Sequence, residues 1–290
     1  MLVRLLRPIA YTPLCILQAV GAGLGWIAWW TSPTWRRRLA DNARRAAQFD
    51  STIDYIRLRR SSIAEHGKGA LELLAAWLRP VPVVAALVTE VKGKEHLDAA
   101  LARPEPIIFV SPHLGAIEVC GVYLAHAVPR ALAALYRPPK LAWLQPLMLA
   151  SRDRGNARAA PANAQGVRLL LKTLKEGQSV YILPDQAPGG GDGAWAPFFG
   201  HRAYTMTLLA RLARSSKATV LFCFAERRKG GRGYIMHFEP MQGSFTGDAV
   251  ADATTLNQNL ERLILKAPTQ YLWSYNRYKT PAGAPAPESE

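Results

Sequence analysis

The stretch Ile107-Ile-Phe-Val-Ser-Pro-His113-Leu-Gly-Ala-Ile-Glu118 places an imidazole just past an apolar run, at the entry of a helix, with a carboxylate five residues on. Residues five apart on a regular helix point about 140° away from each other, so the pair meets only if His113 lies in the turn and Glu118 in the first helical turns. Gly115 frees the backbone for that bend. The positive end of the helix disfavours an imidazolium there. Glu118, accepting from one ring nitrogen, would set the tautomer and leave the other nitrogen free to take a proton. The chemistry expected is general-base activation of a hydroxyl. His66, His96, His126, His201 and His237 lack this strand-turn-helix setting and read as surface or packed histidines. No GxSxG elbow, Walker-type phosphate loop or GxGxxG after a strand is present, which counts against a serine nucleophile and against nucleotide chemistry.

Other polar residues fall where a ligand would meet them. Asp185 and Gln186 follow the apolar run Val180 to Leu183, at the end of a strand, where α/β sheets present their ligands. Arg137, Arg152, Arg154 and Arg158, with Lys140, form a basic stretch suited to phosphates or acidic sugars, since a guanidinium binds phosphate through paired hydrogen bonds. Phe198 and Phe199 would line an acyl slot or, as aromatic pairs more often do, fill the core. Cys15, Cys120 and Cys223 are odd in number, far apart and without metal-ligand spacing, so neither a disulfide framework nor a structural zinc site is expected.

The elements that must hold these residues alternate. Residues 34 to 78 read as helical, closed by Pro80 and Pro82. Beyond Pro106, strands are expected at 107–111, 131–136, 179–183, 219–225 and 234–239, and helices at 116–127, 162–176, 205–214 and 253–266. This predicts a single-domain α/β sandwich over residues 34–280, a mostly parallel or mixed sheet flanked by helices, with a flexible loop at Gly189–Gly193 and a disordered tail at 281–290.

The 290-residue chain carries a net charge of +15, so it seeks polyanions. Residues 1–60 hold ten arginines against three aspartates, a surplus of seven. That cluster flanks an uncharged segment from Pro8 to Trp35, about long enough to cross a hydrocarbon layer. Residues 1–33 therefore read as a membrane-anchoring helix. Trp26, Trp29 and Trp30 would form an interfacial belt, and Arg36, Arg37 and Arg38 place the C-terminal bulk on the cytoplasmic side. Sequence leaves open whether the segment spans the membrane or lies in its interface. A basic protein that merely binds anionic lipid or nucleic acid is the competing reading, but no recognisable nucleic-acid motif is present.

Several blocks, taken in order, resemble the late acyltransferases of lipid A biosynthesis (lauroyl and myristoyl acyltransferases), within the wider set of His-x4-acid lipid acyltransferases. They are the helical block Asn42 to Trp77 with Glu72, Ser111-Pro-His113-Leu-Gly-Ala-Ile-Glu118, Leu135-Tyr-Arg137-Pro-Pro-Lys140, Lys172-Thr-Leu-Lys-Glu-Gly177 followed by Ile182-Leu-Pro-Asp185-Gln186, Pro197-Phe-Phe-Gly200, and Gln270-Tyr-Leu-Trp-Ser-Tyr-Asn-Arg277-Tyr-Lys279. One departure is Ser274-Tyr-Asn276, where many members carry a His before the Arg.

The resemblance implies an O-acyltransferase of the bacterial inner membrane, acting on its cytoplasmic face. His113 would deprotonate a hydroxyl of an anionic glycolipid, a lipid A precursor, and the oxygen would attack the thioester of an acyl carrier protein. Glu118 would orient His113, and an amide near Gly115 or an arginine would meet the oxyanion. No metal or nucleotide cofactor and no nucleic-acid partner is implied. Relatives acting on a phospholipid or a glycosylated inositol lipid keep the same mechanism with another acceptor.

Overall fold

The computed structural model describes residues 2–137 and 145–286, with side chains from residue 6 onward. Four helices come first: α1 (Leu2–Tyr11), α2 (Leu14–Thr31), α3 (Pro33–Phe49) and α4 (Tyr55–Leu78). The α3–α4 break falls at Asp50 to Asp54. The Asp50 side chain accepts from the Thr52 amide at 2.9 Å, and Asp54 caps α4 by accepting from the amides of Ile56 and Arg57. The short α5 (Val81–Ala85) follows the expected proline stop.

Strands and helices then alternate as β1 (Val88–Lys92), α6 (Lys94–Leu101), β2 (Ile107–Val110), α7 (Ile117–Ala127), β3 (Leu132–Tyr136), α8 (Gln145–Arg152), β4 (Ala157–Pro161), α9 (Ala164–Lys175) and β5 (Ser179–Ile182). The hairpin β6 (Gly193–Phe198) and β7 (His201–Met206), α10 (Leu208–Ser216), β8 (Thr219–Arg227), β9 (Tyr234–Pro240) and α11 (Ala249–Lys266) complete the domain.

The described residues form a seven-stranded sheet in the order β1-β9-β8-β2-β5-β3-β4. It is mixed: only the β8/β9 pairing is antiparallel. Every residue of β2 and β5 is buried, as strands covered on both faces require. Alternate residues serve two core layers. Ile108, Val110, Val180, Ile182, Phe222 and Phe224 face helices α3, α9, α10 and α11. Ile107, Phe109, Tyr181, Leu221 and Cys223 face α5, α6 and α7. The expected α/β sandwich is therefore present.

Two expectations needed correction. The segment 193–206 forms a hairpin ahead of α10, whose helix starts at Leu208 and not at Thr205. The hairpin turns on Phe199 (φ 46°) and Gly200 (φ 73°), a two-residue loop with both residues left-handed. A phenylalanine is held there because its amide donates to Glu261 Oε1 at 2.6 Å and its ring packs on Phe49, Phe198 and Trp273. Phe198 and Phe199 are core residues. The second concerns the C-terminal end, where a free tail was expected. Ala282 O accepts from the Gly190 amide and Pro285 O from the Trp195 indole, so this part of the tail is tied to the loop and strand at 190–195, and residues 287–290 lie outside the described residues.

Candidate active site

The parallel register of β2 with β5 pairs Val110 with Ile182. His113 and Asp185 each lie three residues beyond those partners, so two neighbouring strand ends deliver them side by side although 72 residues separate them in sequence. His113 Nδ1 lies 2.7 Å from Asp185 Oδ1, and the His113 backbone amide donates to Asp185 Oδ2 at 2.9 Å. Both carboxylate oxygens are thus engaged by one residue, which fixes the ring orientation as well as its tautomer. Gln186 Nε2 donates to His113 Nε2 at 3.1 Å, marking the nitrogen that carries the lone pair. Burial pushes the Asp185 carboxyl up, but His113 and, more weakly, Arg277 outweigh it and hold its pKa below the ordinary value.

Asp185 is 2% exposed and His113 19%, so the acid is sealed behind an accessible imidazole. Tyr271 and Arg277 close the inner side. Arg277 is itself buried and donates to Tyr204 O and Thr205 Oγ1, each at 2.7 Å. Burial depresses its pKa. Tyr275, within the divergent Ser274-Tyr-Asn276 block, accepts from the Ala187 amide at 3.1 Å and braces the loop carrying Asp185 and Gln186.

His113 opens onto a cavity of about 270 Å³ walled by Glu65, His66, Gly69, Ala70, Glu72 and Leu73 of α4, Gly115 to Val119, Arg227 and Tyr271. Glu118 is on this wall, yet its carboxylate turns away from the imidazole. Arg152, at the C-terminal end of α8, clasps it through Nη2 to Oε1 and Nε to Oε2, the latter at 3.4 Å. The expectation that Glu118 orients His113 is corrected: Asp185 fills that place. The physical reason is the sheet register, which brings a strand-end carboxylate to the ring, whereas Glu118 begins α7 and faces α8. Burial lowers the Arg152 pKa but the Glu118 carboxylate raises it further, so Arg152 stays charged.

The other residues singled out by sequence separate. Arg154 donates to the backbone carbonyls of Ala76, Arg79 and Ser151 at 2.6–2.7 Å and so ties down the end of α4, while lining a pocket with Glu118 and Arg152. Arg158 contacts its neighbour's carbonyl. Arg137 is exposed at the end of β3, in a separate groove with Arg168 and Arg211. Lys140 lies outside the described residues. The amides of Gly115 and Ala116 donate to Gln270 O and Ala225 O, so both are spent on the fold and neither is free for an oxyanion.

Sequence reasoning missed Arg227, which donates to Glu72 Oε2 at 2.6 Å and to Gly115 O at 2.7 Å and lies 3.6 Å from Glu65. It thereby locks the turn that carries His113. Gly115 adopts φ 65° and packs on Ala225 O, where any Cβ would collide. The available signal was an arginine in the charged run Glu226-Arg227-Arg228-Lys229 that ends an apolar strand, which is weak by itself.

The family model described as bacterial lipid A biosynthesis acyltransferase matches residues 1–280. A lipid A biosynthesis lauroyltransferase of Escherichia coli (strain K12) is 30% identical over 226 residues, 76% of this chain and 71% of that one. The palmitoleoyltransferase of lipid A biosynthesis from the same strain is 29% identical over 230 residues, covering 77% and 72%. The myristoyltransferase is 24% identical over 190 residues, covering 65% and 58%.

Proposed function

Because the chain belongs to the bacterial lipid A biosynthesis acyltransferases, we propose that it transfers a fatty acyl chain from an acyl carrier protein thioester to a hydroxyl of a lipid A precursor, with His113 as base and Asp185 as its orienting acid. The observation that carries the mechanism is the two-point grip of Asp185 on the ring and backbone of His113 at the mouth of the cavity. With Nδ1–H held by the carboxylate, Nε2 accepts the proton of the acceptor hydroxyl, displacing the Gln186 amide. The oxygen attacks the thioester carbonyl, the C–S bond breaks, and the imidazolium returns its proton to the departing thiolate. Asp185 stabilises the imidazolium while it lasts.

Glu118, on the wall beside the base, is held by Arg152. With the Gly115 and Ala116 amides already bonded, side-chain donors remain for the oxyanion and for acceptor phosphates, and Arg152, held by Glu118, is the arginine we assign to the phosphates. The exposed Arg137, Arg168 and Arg211 border a groove at the same sheet edge, a surface suited to an acidic carrier. No step needs a metal or nucleotide. Because acyl carrier protein is cytoplasmic, the catalytic domain sits on the cytoplasmic face of the inner membrane. The named relatives carry three different acyl groups in their descriptions, so chain length does not transfer from them to this chain.

The test is transfer of labelled acyl groups from acyl carrier protein to a tetra-acylated, Kdo-bearing lipid A precursor in membranes holding wild type or His113→Ala. Activity that survives chelation and falls by about 10²-fold or more in the variant is the expected result. A wild type that is inactive on this acceptor but acylates a phospholipid would retain the base and overturn the acceptor. Equal rates with a small acyl thioester would overturn the donor.

A further inference from the structure

Helix α2 is long and apolar enough to cross a membrane by length and composition, yet it is not free along its length. It runs antiparallel to α4: Gly25 packs on Ile63 and Gly67, Gly21 on Gly67 and Lys68, and Gln18 Nε2 donates to Glu72 Oε1 at 2.7 Å. A Cβ on Gly21 would lie 2.7 Å from Gly67 O, so the two backbones touch with no room for a side chain. Arg59 stacks over Trp29 at one end, and at the other Arg79 donates to Ala10 O and Thr12 O at 2.6 and 2.8 Å.

Whatever depth α2 reaches, α4 reaches with it. That helix carries Arg57, Arg59, Arg60, Glu65, Lys68 and Glu72, and behind Glu72 stands Arg227. Burying these charges in hydrocarbon costs several kcal/mol each on insertion scales, far beyond what an 18-residue apolar helix returns. The opposite face of α2 presents Ile16, Val20, Leu24, Ile27 and Trp30, all 43–70% exposed, at helical spacing and continuous with Ile9 and Tyr11. Exposed Arg7 stands at one end of this stripe and Arg37 and Arg38 at the other, where the phosphates of an anionic bilayer would meet them.

We infer that α2 lies along one leaflet with its Ile16–Trp30 face in the acyl boundary, so that the protein is seated on one side of the membrane and does not span it. Both chain ends then lie on the same side. Because α4 is at once the floor for α2 and a wall of the His113 cavity, the seating sets that cavity beside the lipid surface, and Gln18, Glu72 and Arg227 join the seated helix to Gly115. The inference stands independently of which acyl acceptor is used.

The experiment uses the full chain with a protease-cleavable tag at each end, expressed in a bacterial inner membrane and probed in spheroplasts and in inverted vesicles. Both tags are expected to respond alike, protected in one preparation and cleaved in the other. Cleavage of the N-terminal tag alone in spheroplasts would overturn the seating. As a second measurement, purified Ile16→Asn/Leu24→Asn/Ile27→Asn protein is sedimented with vesicles of phosphatidylethanolamine and phosphatidylglycerol. At least a tenfold loss of binding is expected with the melting temperature unchanged, since these side chains face outward. Binding equal to wild type would show that another surface or partner covers the face, and would likewise overturn it.

Discussion

At the C-terminal ends of the central strands, His113 gives one ring nitrogen to a buried carboxylate, and the other, at an open cavity, accepts only from the displaceable Gln186 side-chain amide. Across the same cavity, on α4, His66 has both nitrogens engaged by the backbone: Nδ1–H donates to Ser62 O at 2.7 Å, and Nε2 accepts from the Ser274 amide at 3.4 Å. Beside it Arg227 bonds Glu72 at 2.6 Å and lies 3.6 Å from Glu65, whose other oxygen accepts from Lys68. The two sides use the same residue types. One retains a proton acceptor for a reactant, and the other spends its polar groups on holding helices to the sheet. A carboxylate behind a histidine, with space in front, separates a base from a structural imidazole.

The sharpest way to break this comparison is to remove the base or its backing. His113→Ala is expected to lower kcat by about 10²–10⁴-fold with little change in melting temperature, and Asp185→Asn by about 10²-fold or more. A His66→Asn variant that lost as much turnover, at unchanged stability, would erase the distinction between the two histidines.

The second test concerns the carboxylate that sequence chose. Glu118→Gln and Arg152→Gln should each reduce kcat/KM about 10–100-fold, and the double variant should be hardly worse than either, because the two act as one pair. If Glu118→Gln lowered kcat as far as His113→Ala while Asp185→Asn did not, the assignment of Asp185 as the orienting acid would fail.

Much of this arrangement could be read from sequence, for reasons that identify what could not. The interior strands announced themselves because residues buried on both faces leave unbroken apolar runs, as in Ile107 to Val110 and Thr219 to Ala225. β1 and β4 did not, since Val88-Thr-Glu-Val-Lys92 and Ala157-Arg-Ala-Ala-Pro161 are edge strands with polar or small residues. His113 was legible from its strand-turn-helix context. Asp185 was noticed as a strand-end group, but its pairing with His113 depends on β2 lying next to β5, a register that local spacing does not encode. The carbonyl contacts of Arg154 were not legible either, because exposed and carbonyl-bound guanidinia look alike in a basic stretch.

Arg154 supplies the third test. Its three carbonyl contacts join α8 to the end of α4, so Arg154→Ala should cost roughly 2–3 kcal/mol in unfolding free energy while leaving KM for the acceptor unchanged. A raised KM at wild-type stability would return Arg154 to the substrate.

The smallest effect expected is a pH dependence confined to the α4 side. Burial pushes the His66 pKa down from 6.5 to about 4, with the Ser62 contact opposing and the Arg227 charge adding to the fall. In the unfolded chain the imidazole binds a proton near pH 6.5, and in the folded chain only near pH 4. Between those values the unfolded state therefore holds more protons, and stability is fully present above pH 6.5 and declines as pH falls toward 4. By pH 5 the loss from this one group is about 2 kcal/mol. Asparagine at position 66 stays neutral throughout, so denaturant unfolding of wild type and His66→Asn at pH 7.5 and pH 5 should show the stability gap between them changing by that amount. A gap that stays constant would mean that His66 is protonated in the folded state. It would then be as accessible as His113, and its burial against α4 would no longer distinguish the two sides of the cavity.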